Sequence, residues 1–203
     1  MRGLDLGKEK SRATWWLVGG MAIIFFVVPQ LSRSLSQSSA GSGSHSTTSF
    51  DGGIWSVGKD IQAGLYRPSK EVPAGCYWEI TKSGSNGNNI IANDNVDGGF
   101  PTLNLIEGDD VNAQDCGEFR LVTEGTVSGD LASSFSDGAW TVGVDVKPGT
   151  YKVTQNVLGQ ACYWEVSTSG SNQQDILNND NVTKGFPEIV LSENQEVKSQ
   201  SCG

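Results

Sequence analysis

The sequence predicts an all-β protein: two tandem, small, disulfide-closed modules, each a β-sandwich or barrel-like fold, behind one N-terminal transmembrane helix and a Ser/Gly-rich stalk. Three observations lead to this prediction. A motif-rich segment occurs twice, each copy carries two cysteines at one spacing, and a long apolar run stands near the N-terminus. The 26 glycines among 203 residues, with frequent Ser, Asn and Asp, favour short strands and turns over helices.

The first element is the apolar run. Residues 13–32 carry no charge, and as a helix these 20 residues would span about 30 Å, the thickness of a bilayer core. Trp15 and Trp16 mark one end, where amphipathic rings favour the membrane interface. The basic residues Lys8 and Arg12 precede the run, so we expect a cytoplasmic N-terminus and a single pass through the plasma membrane.

A cleaved signal peptide is the main alternative to this anchor, and it would make the protein secreted. Its apolar region is typically about 7–15 residues, which the centre of the run fits. No small-x-small cleavage site follows Val28 directly, and Ser38-Ser39-Ala40 lies far downstream. We therefore favour an uncleaved anchor. A buried soluble helix is disfavoured because nothing later in the chain offers it a helical partner.

The second element is a flexible stalk, predicted from the Ser, Gly and Thr content of residues 32–49. The charge changes sign after it. Residues 1–49 hold five basic and two acidic residues, whereas the remainder holds nine basic and 21 acidic residues. An acidic exported part repels phosphate backbones, so nucleic acid is not an expected partner.

The remaining elements form an internal duplication. The pattern from Phe50 to Tyr66 recurs 85 residues later, and from Cys76 onward the offset is 86. Over Cys76 to Cys116, 21 of the 41 positions are identical in the second copy. The predicted organisation is a basic tail (1–13), a membrane anchor (14–31), a stalk (32–49), a first module (50–119), a linker (120–134) and a second module (135–203).

The motifs of the repeat are G-x-W-x-V-G-x-D-[IV]-x-[AP]-G-x-Y, then C-Y-W-E, N-D-N and a closing C-G. Together they resemble an uncharacterised duplicated module of secreted and membrane-anchored actinobacterial envelope proteins. The resemblance covers both copies, implies an extracytoplasmic location and implies no activity. The second copy departs from the first because it ends at Gly203 without the aromatic residue Phe119, which predicts a shorter last strand.

The four cysteines allow three pairings. The repeat favours Cys76–Cys116 and Cys162–Cys202, because each module would then close itself. A loop of this length is stabilised by about 4 kcal/mol in the chain-entropy model. A four-cysteine metal site is the alternative, and it is disfavoured because there is no C-x-x-C pair and no nearby histidine. We expect no metal and no cofactor.

Each module is expected to contain five to seven short strands. Alternation within C-Y-W-E predicts that Trp78 and Trp164 pack in the cores, and that Tyr77 and Tyr163 point the other way. These tyrosines are candidate ligand contacts, although a solvent-facing strand tyrosine is the commoner outcome. The Ser85-Asn86-Gly87 segment predicts a hairpin loop.

The Asn-Asp-Asn triplets are the second candidate site, because clusters of oxygen ligands bind Ca²⁺. Asn and Asp also form turns through bonds from side chain to backbone, and we favour that interpretation. Thr183 replaces Asp97 in the second copy, which also argues against a calcium loop. The candidate binding residues are Tyr77, Tyr163, Asp94, Asn95, Asp180 and Asn181.

The sequence does not predict an enzyme. The only histidine, His45, lies in the stalk, and a serine or cysteine nucleophile usually needs a base. A carboxylate pair such as Glu79 and Asp94 has no supporting motif. The leading hypothesis is a membrane-anchored extracytoplasmic binding protein for a glycan or protein of the cell envelope, with two linked sites that gain avidity. The alternatives are a structural spacer or accessory subunit of a membrane complex, and an extracellular sensor.

Overall fold

The computed structural model describes residues 46–123 and 130–203, and all of them belong to one compact unit. These residues form strands and turns, so the all-β prediction is confirmed. The predicted tail, membrane anchor and most of the stalk lie outside the described residues. Within the described ranges, no helix has the length and apolar character needed to cross a membrane.

Module 1 contains eight strands in two antiparallel four-stranded sheets. The strands are β1 (Ser49–Phe50), β2 (Gly53–Ser56), β3 (Gly64–Pro68), β4 (Cys76–Lys82), β5 (Ile90–Val96), β6 (Leu103–Leu105), β7 (Asp109–Gln114) and β8 (Phe119–Leu121). We call the sheet β2-β7-β4-β5 the motif sheet, because β4 carries C-Y-W-E, and the sheet β1-β8-β3-β6 the cover sheet. The count exceeds the expected five to seven because β1 and β8 extend the cover sheet.

Module 2 contains six strands. They are β9 (Gly138–Thr141), β10 (Gly149–Lys152), β11 (Val157–Thr168), β12 (Ile176–Gly185), β13 (Glu188–Leu191) and β14 (Gln195–Gln200). Its motif sheet is β12-β11-β14-β9, which matches the motif sheet of module 1 strand for strand. Its cover sheet is only the pair β10-β13 among the described residues.

Alternation along β4 gives each motif sheet an apolar and a polar face. Cys76, Trp78 and Ile80 are buried, whereas Tyr77 and Glu79 on the other face are half-buried. The core predictions for Trp78 and Trp164 are confirmed, since both are buried. The β4–β5 hairpin closes through Asn86 and Gly87 as predicted, and both adopt the positive φ that such a loop requires.

Each module is closed by its own disulfide. Cys76 is bonded to Cys116 and Cys162 to Cys202, with a sequence separation of 40 in both cases. The predicted pairing is therefore confirmed, and the four thiols are not available as metal ligands. Both bonds join the cysteine of C-Y-W-E to a cysteine two residues beyond the end of the neighbouring strand, β7 or β14.

The Asn-Asp-Asn triplets do not form turns, so that prediction is wrong. Residues 93–95 lie within β5 and residues 179–181 within β12. In each module the triplet pairs with the Tyr-Trp-Glu of the C-Y-W-E strand, for example Tyr77 with Asn95 and Trp78 with Asp94. Cross-strand pairing in the motif sheet overrides the local turn preference of Asn and Asp.

Candidate binding surface

The polar face of module 1 is the outer surface of its motif sheet. Cross-strand register places Asn95 and Gln114 beside Tyr77, and Asn93 and Asn112 beside Glu79. None of these side chains is fully buried. The edge strand β2 extends the face with Ile54, which is 72% exposed. The polar face of module 1 comprises Ile54, Ser56, Tyr77, Glu79, Asn93, Asn95, Asp110, Asn112 and Gln114.

Hydrogen bonds hold the centre of this face in one arrangement. Tyr77 Oη donates to Glu79 Oε2 at 2.9 Å, and Asn112 Nδ2 donates to Glu79 Oε1 at 3.1 Å. Asn93 Nδ2 donates to Tyr77 Oη at 3.4 Å. Side chains fixed by each other lose less conformational entropy when a ligand binds. The arrangement therefore suits recognition of a polar surface.

The phenol of Tyr77 remains a hydrogen-bond donor under ordinary conditions. Partial burial raises its pKa above the usual value, the hydrogen bond from Asn93 lowers it, and the nearby Glu79 carboxylate raises it further. The net shift is upward, away from physiological pH. Tyr163 in module 2 behaves alike, since burial and Glu165 both raise its pKa. The tyrosine and glutamate pair is therefore a feature of the fold in both copies.

The corresponding polar face of module 2 is partly covered by module 1. Its β11-β14-β9 half holds Glu165, Glu196 and Thr141, which are all buried. Its β12 side, with Asn179 and Asn181, remains exposed. The same sheet surface is thus open in one copy and used for contact in the other.

Side chains from the edge of module 1 make this contact. Lys198 Nζ forms an ion pair with Asp94, and Gln173 Nε2 donates to Asp94 Oδ2 at 2.7 Å. Arg67 Nη2 and Asp145 Oδ2 form a second ion pair at 2.5 Å. Both partners are largely buried in each pair, so the charges compensate each other away from water.

Backbone and aromatic contacts complete the junction. Phe100 N donates to Ala139 O at 2.6 Å, and Ala139 N donates to Gly98 O at 3.1 Å. The Phe100 and Trp140 rings meet edge to face with their centroids 5.9 Å apart. A Cβ on Gly138 would lie 2.3 Å from the Gly98 carbonyl carbon, so this approach requires glycine. The junction is therefore closely packed.

Glu196 lies inside the junction and is buried. Burial is the main cause that raises its pKa from 4.5 to about 8, and the Arg67 guanidinium opposes this shift. Asp94 and Asp145 add further repulsion for a negative charge. Burial at the junction therefore favours the protonated form of this carboxyl group.

The structure separates the candidate residues that the sequence grouped together. Tyr77 and Asn95 lie side by side on the polar face of module 1. Asp94 points to the other side of β5, and its carboxylate is engaged by module 2, so we leave it out of the binding surface. Asp180 and Asn181 are exposed on β12, where Asp180 Oδ1 accepts from the Asn181 amide at 2.7 Å. Tyr163 is half-buried beside the junction.

Sequence reasoning did not select Asn112 or Lys198, which occupy the same position in the two copies. Asn112 bonds to Glu79 within its own face, whereas Lys198 reaches across the junction to Asp94. The difference between Asn112 and Lys198 was the sequence signal that could have identified this position. An otherwise similar strand carries an amide in one module and a cation in the other.

A family model described as Rv1352-like extracellular domain matches residues 46–120 and 132–203. The two matched segments correspond to module 1 and module 2, which confirms a duplicated extracellular module. The curated proteins contain no match to the chain, and neither do the solved structures.

Proposed function

The chain belongs to the Rv1352-like extracellular domain family, and from this premise we propose that it is a membrane-anchored binding protein of the cell envelope. Its partner would bind the polar face of module 1. The extracellular location of the modules follows from the family. The anchor is proposed from the charge-free run at residues 13–32.

One observation carries the proposal: the equivalent face of module 2 already serves as a protein-binding surface. That face holds module 1 through the ion pairs, and the adjacent edge of β9 adds backbone hydrogen bonds and an aromatic contact. The polar face of module 1 has the same strands and the same tyrosine and glutamate pair, and it is open. A protein edge is therefore favoured over a glycan as the partner.

The composition of the open face defines the expected partner. Asn112 and Asp110 stand where module 2 has Lys198 and Glu196, and Ile54 stands where module 2 has Ala139. Asp110 Oδ1 is buried and has no hydrogen-bond partner among the described residues. The face thus offers the Glu79 and Asp110 carboxylates, several amide groups and one exposed aliphatic side chain. It suits a partner edge that supplies donors or a cation beside an apolar group.

A second copy of this chain is a poor partner for that face. The edge that module 1 inserts into the junction contains Gly98, and a Cβ at this position would lie 2.7 Å from the Asp137 carbonyl oxygen. Lys184 occupies the equivalent position in module 2. In the same docking geometry, the Cβ of Lys184 would lie too close to the backbone of the facing module 1.

Because the polar face of module 2 is partly covered, duplication does not give two equivalent binding sites. Two linked sites gain avidity only when both can engage, and the polar face of module 2 is partly occupied by module 1. The modules therefore offer one polar-face site for each chain. The close junction also suits a rigid spacer or accessory subunit, which is the second candidate function.

The test is a pull-down with the full chain solubilised in detergent, using envelope fractions before and after protease treatment and purified cell-wall polysaccharide. We expect saturable binding that protease treatment abolishes. Ile54→Asp should weaken binding at least tenfold, because it places a charge at the centre of an apolar contact. Leu158→Asp is the matched control, since Leu158 is also 72% exposed but lies in module 2.

Each result has a distinct meaning. Retention on polysaccharide that Ile54→Asp weakens would replace the protein partner with a glycan at the same face. Equal weakening by Ile54→Asp and Leu158→Asp would argue against this face as the site. Absence of binding to every fraction would contradict the binding function and favour the spacer.

A further inference from the structure

Module 2 contains a cavity of about 280 Å³ beside the edge of its cover sheet. Its walls include the inward side chains of Phe135, Tyr151, Val153, Trp164 and Ile189, all of which belong to the core of this module. The cavity therefore opens directly onto the core between the two sheets.

In module 1 the corresponding space is filled by strand β8. Phe119 is fully buried and stacks on Phe50 with ring centroids 5.1 Å apart. Phe50 also packs against Tyr66 at 5.2 Å, and the equivalent pair in module 2, Phe135 and Tyr151, lies at 4.9 Å. The aromatic frame is thus the same in both modules, and the described part of module 2 has no counterpart of Phe119 within it.

The backbone of β10 beside the cavity also has an edge that can pair with a further strand. Val153 N donates to Pro187 O, so alternation turns the amides of Thr150 and Lys152 away from β13. In module 1 this edge of the sheet is paired: Ser69 N donates to Glu118 O at 2.8 Å, and Val122 N donates to Leu65 O at 2.7 Å. Strand edges with free donors and acceptors accept an added strand.

We propose that module 2 binds an extended segment of a partner polypeptide as a strand antiparallel to β10, with an aromatic side chain in the cavity. The site is separate from the polar face, and this inference goes beyond the proposed function. Among the described residues, β8 has the fitting sequence, and it is already part of module 1. The occupant that we propose is a partner segment with the aromatic and aliphatic pattern of β8.

Module 1 supplies the register of the bound segment. In β8, Phe119 pairs with Pro68 and Leu121 with Tyr66. The positions equivalent to Pro68 and Tyr66 in module 2 are Val153 and Tyr151. The bound segment thus has an aromatic residue opposite Val153 and an aliphatic residue opposite Tyr151.

The residue between these two lies opposite Lys152. Arg120 takes this place in module 1, opposite Arg67, whose charge is compensated by Asp145. The Lys152 ammonium instead lies 5.9 Å from the centre of the exposed Phe186 ring. Opposite charges on facing strands attract, so an acidic residue is preferred at the middle position.

The probe is the peptide Gly-Glu-Phe-Glu-Leu-Val, which copies residues 117–122 with glutamate in place of Arg120. Titrated into the detergent-solubilised full chain, it should bind with one site per chain. Contacts in NMR spectra should join its phenylalanine ring to Tyr151 and Trp164. Alanine in place of phenylalanine should weaken binding about a hundredfold, because the ring fills the cavity. Arginine at the middle position should weaken binding about two- to fivefold.

A chain carrying Glu-Phe-Glu-Leu-Val directly after Gly203 provides the second arm. The added segment should fold into the cavity as β8 does in module 1, raise the melting temperature and abolish binding of the free peptide. The proposal is overturned if the free peptide does not bind, if its alanine version binds equally well, or if its contacts lie outside β10. It is also overturned if the extended chain binds the free peptide as tightly as the original.

Discussion

Modules 1 and 2 share a motif sheet, a disulfide and a tyrosine and glutamate pair, yet they leave opposite surfaces open. Module 1 has a complete cover sheet and an open polar face. In the part of the chain that the structure describes, module 2 has a two-stranded cover sheet with a cavity beside it, and its polar face is partly buried under module 1. A duplicated fold can therefore give two different binding surfaces when neighbouring segments cover different parts of each copy.

The difference arises from neighbouring segments that cover one module and not the other. Strand β8 closes module 1 and stacks Phe119 on its core, and the edge of module 1 covers the face of module 2. The motif sheets themselves remain alike. Availability of a surface is thus decided by contacts with neighbouring segments, and each contact can be removed by mutation.

The largest expected effect comes from the disulfides. Removal of either bond, as Cys76→Ala with Cys116→Ala or Cys162→Ala with Cys202→Ala, should lower the free energy of unfolding by about 4 kcal/mol. The module 2 variant should unfold at the lower urea concentration, because its cover sheet has two strands instead of four. Urea unfolding followed by tryptophan fluorescence measures both midpoints. Equal midpoints would contradict the expectation that the smaller cover sheet makes module 2 less stable than module 1.

Phe119→Ala should have the next largest effect. It should lower the free energy of unfolding by roughly 3–4 kcal/mol, because it removes the aromatic side chain that fills the core of module 1. Phe186→Ala is the control, since this ring in module 2 is 50% exposed, and it should change stability by less than about 0.5 kcal/mol. Thermal unfolding of the two variants provides the comparison. Similar losses would mean that Phe119 is not a core residue.

Lys198→Ala should lower the free energy of unfolding by about 2–3 kcal/mol, because it leaves the buried Asp94 carboxylate without its cation. Arg120→Ala is the control. Arg120 pairs with Glu118 at 2.8 Å, and these side chains are 65% and 38% exposed, so the loss should stay below about 1 kcal/mol. Chemical unfolding of both variants tests the junction, and an equal loss would show that the junction is not stabilised by this pair.

The smallest expected effect is a pH dependence from Glu196. Below pH 4.5 the carboxyl group is protonated in the folded and unfolded states, so its contribution is fully present there. As pH rises toward 8 the unfolded state loses the proton first, and stability falls by about 2 kcal/mol between roughly pH 5.5 and 7.0.

Glu196→Gln removes this titration and should flatten stability over the same range. Unfolding midpoints measured at several pH values for both proteins test the effect. A wild-type protein that becomes more stable between pH 5.5 and 7.0, with a variant that follows the same curve, would contradict the buried position of Glu196.

Local pattern was enough to predict the strands and the disulfides. Alternation in C-Y-W-E placed Trp78 in the core and Tyr77 outside, and equal cysteine spacing gave the pairing. The Asn-Asp-Asn turns were predicted wrongly, because pairing with a neighbouring strand outweighed local preference.

The open and covered faces could not be predicted in the same way. The pair Lys198 and Asp94 is separated by 104 positions along the chain, and it exists only because two folded modules dock. No periodicity or motif encodes such docking. The burial of Glu196 has the same origin, since the covering groups come from the other module.

Amide hydrogen exchange at matched positions of β3 and β10 in the free full chain tests the central claim most directly. The account predicts that Lys152 and Thr150 exchange much faster than their module 1 equivalents Arg67 and Leu65, because β8 covers only β3. Equal, strong protection at Lys152 and Arg67 would contradict it, since β10 would then already have a strand on its second edge.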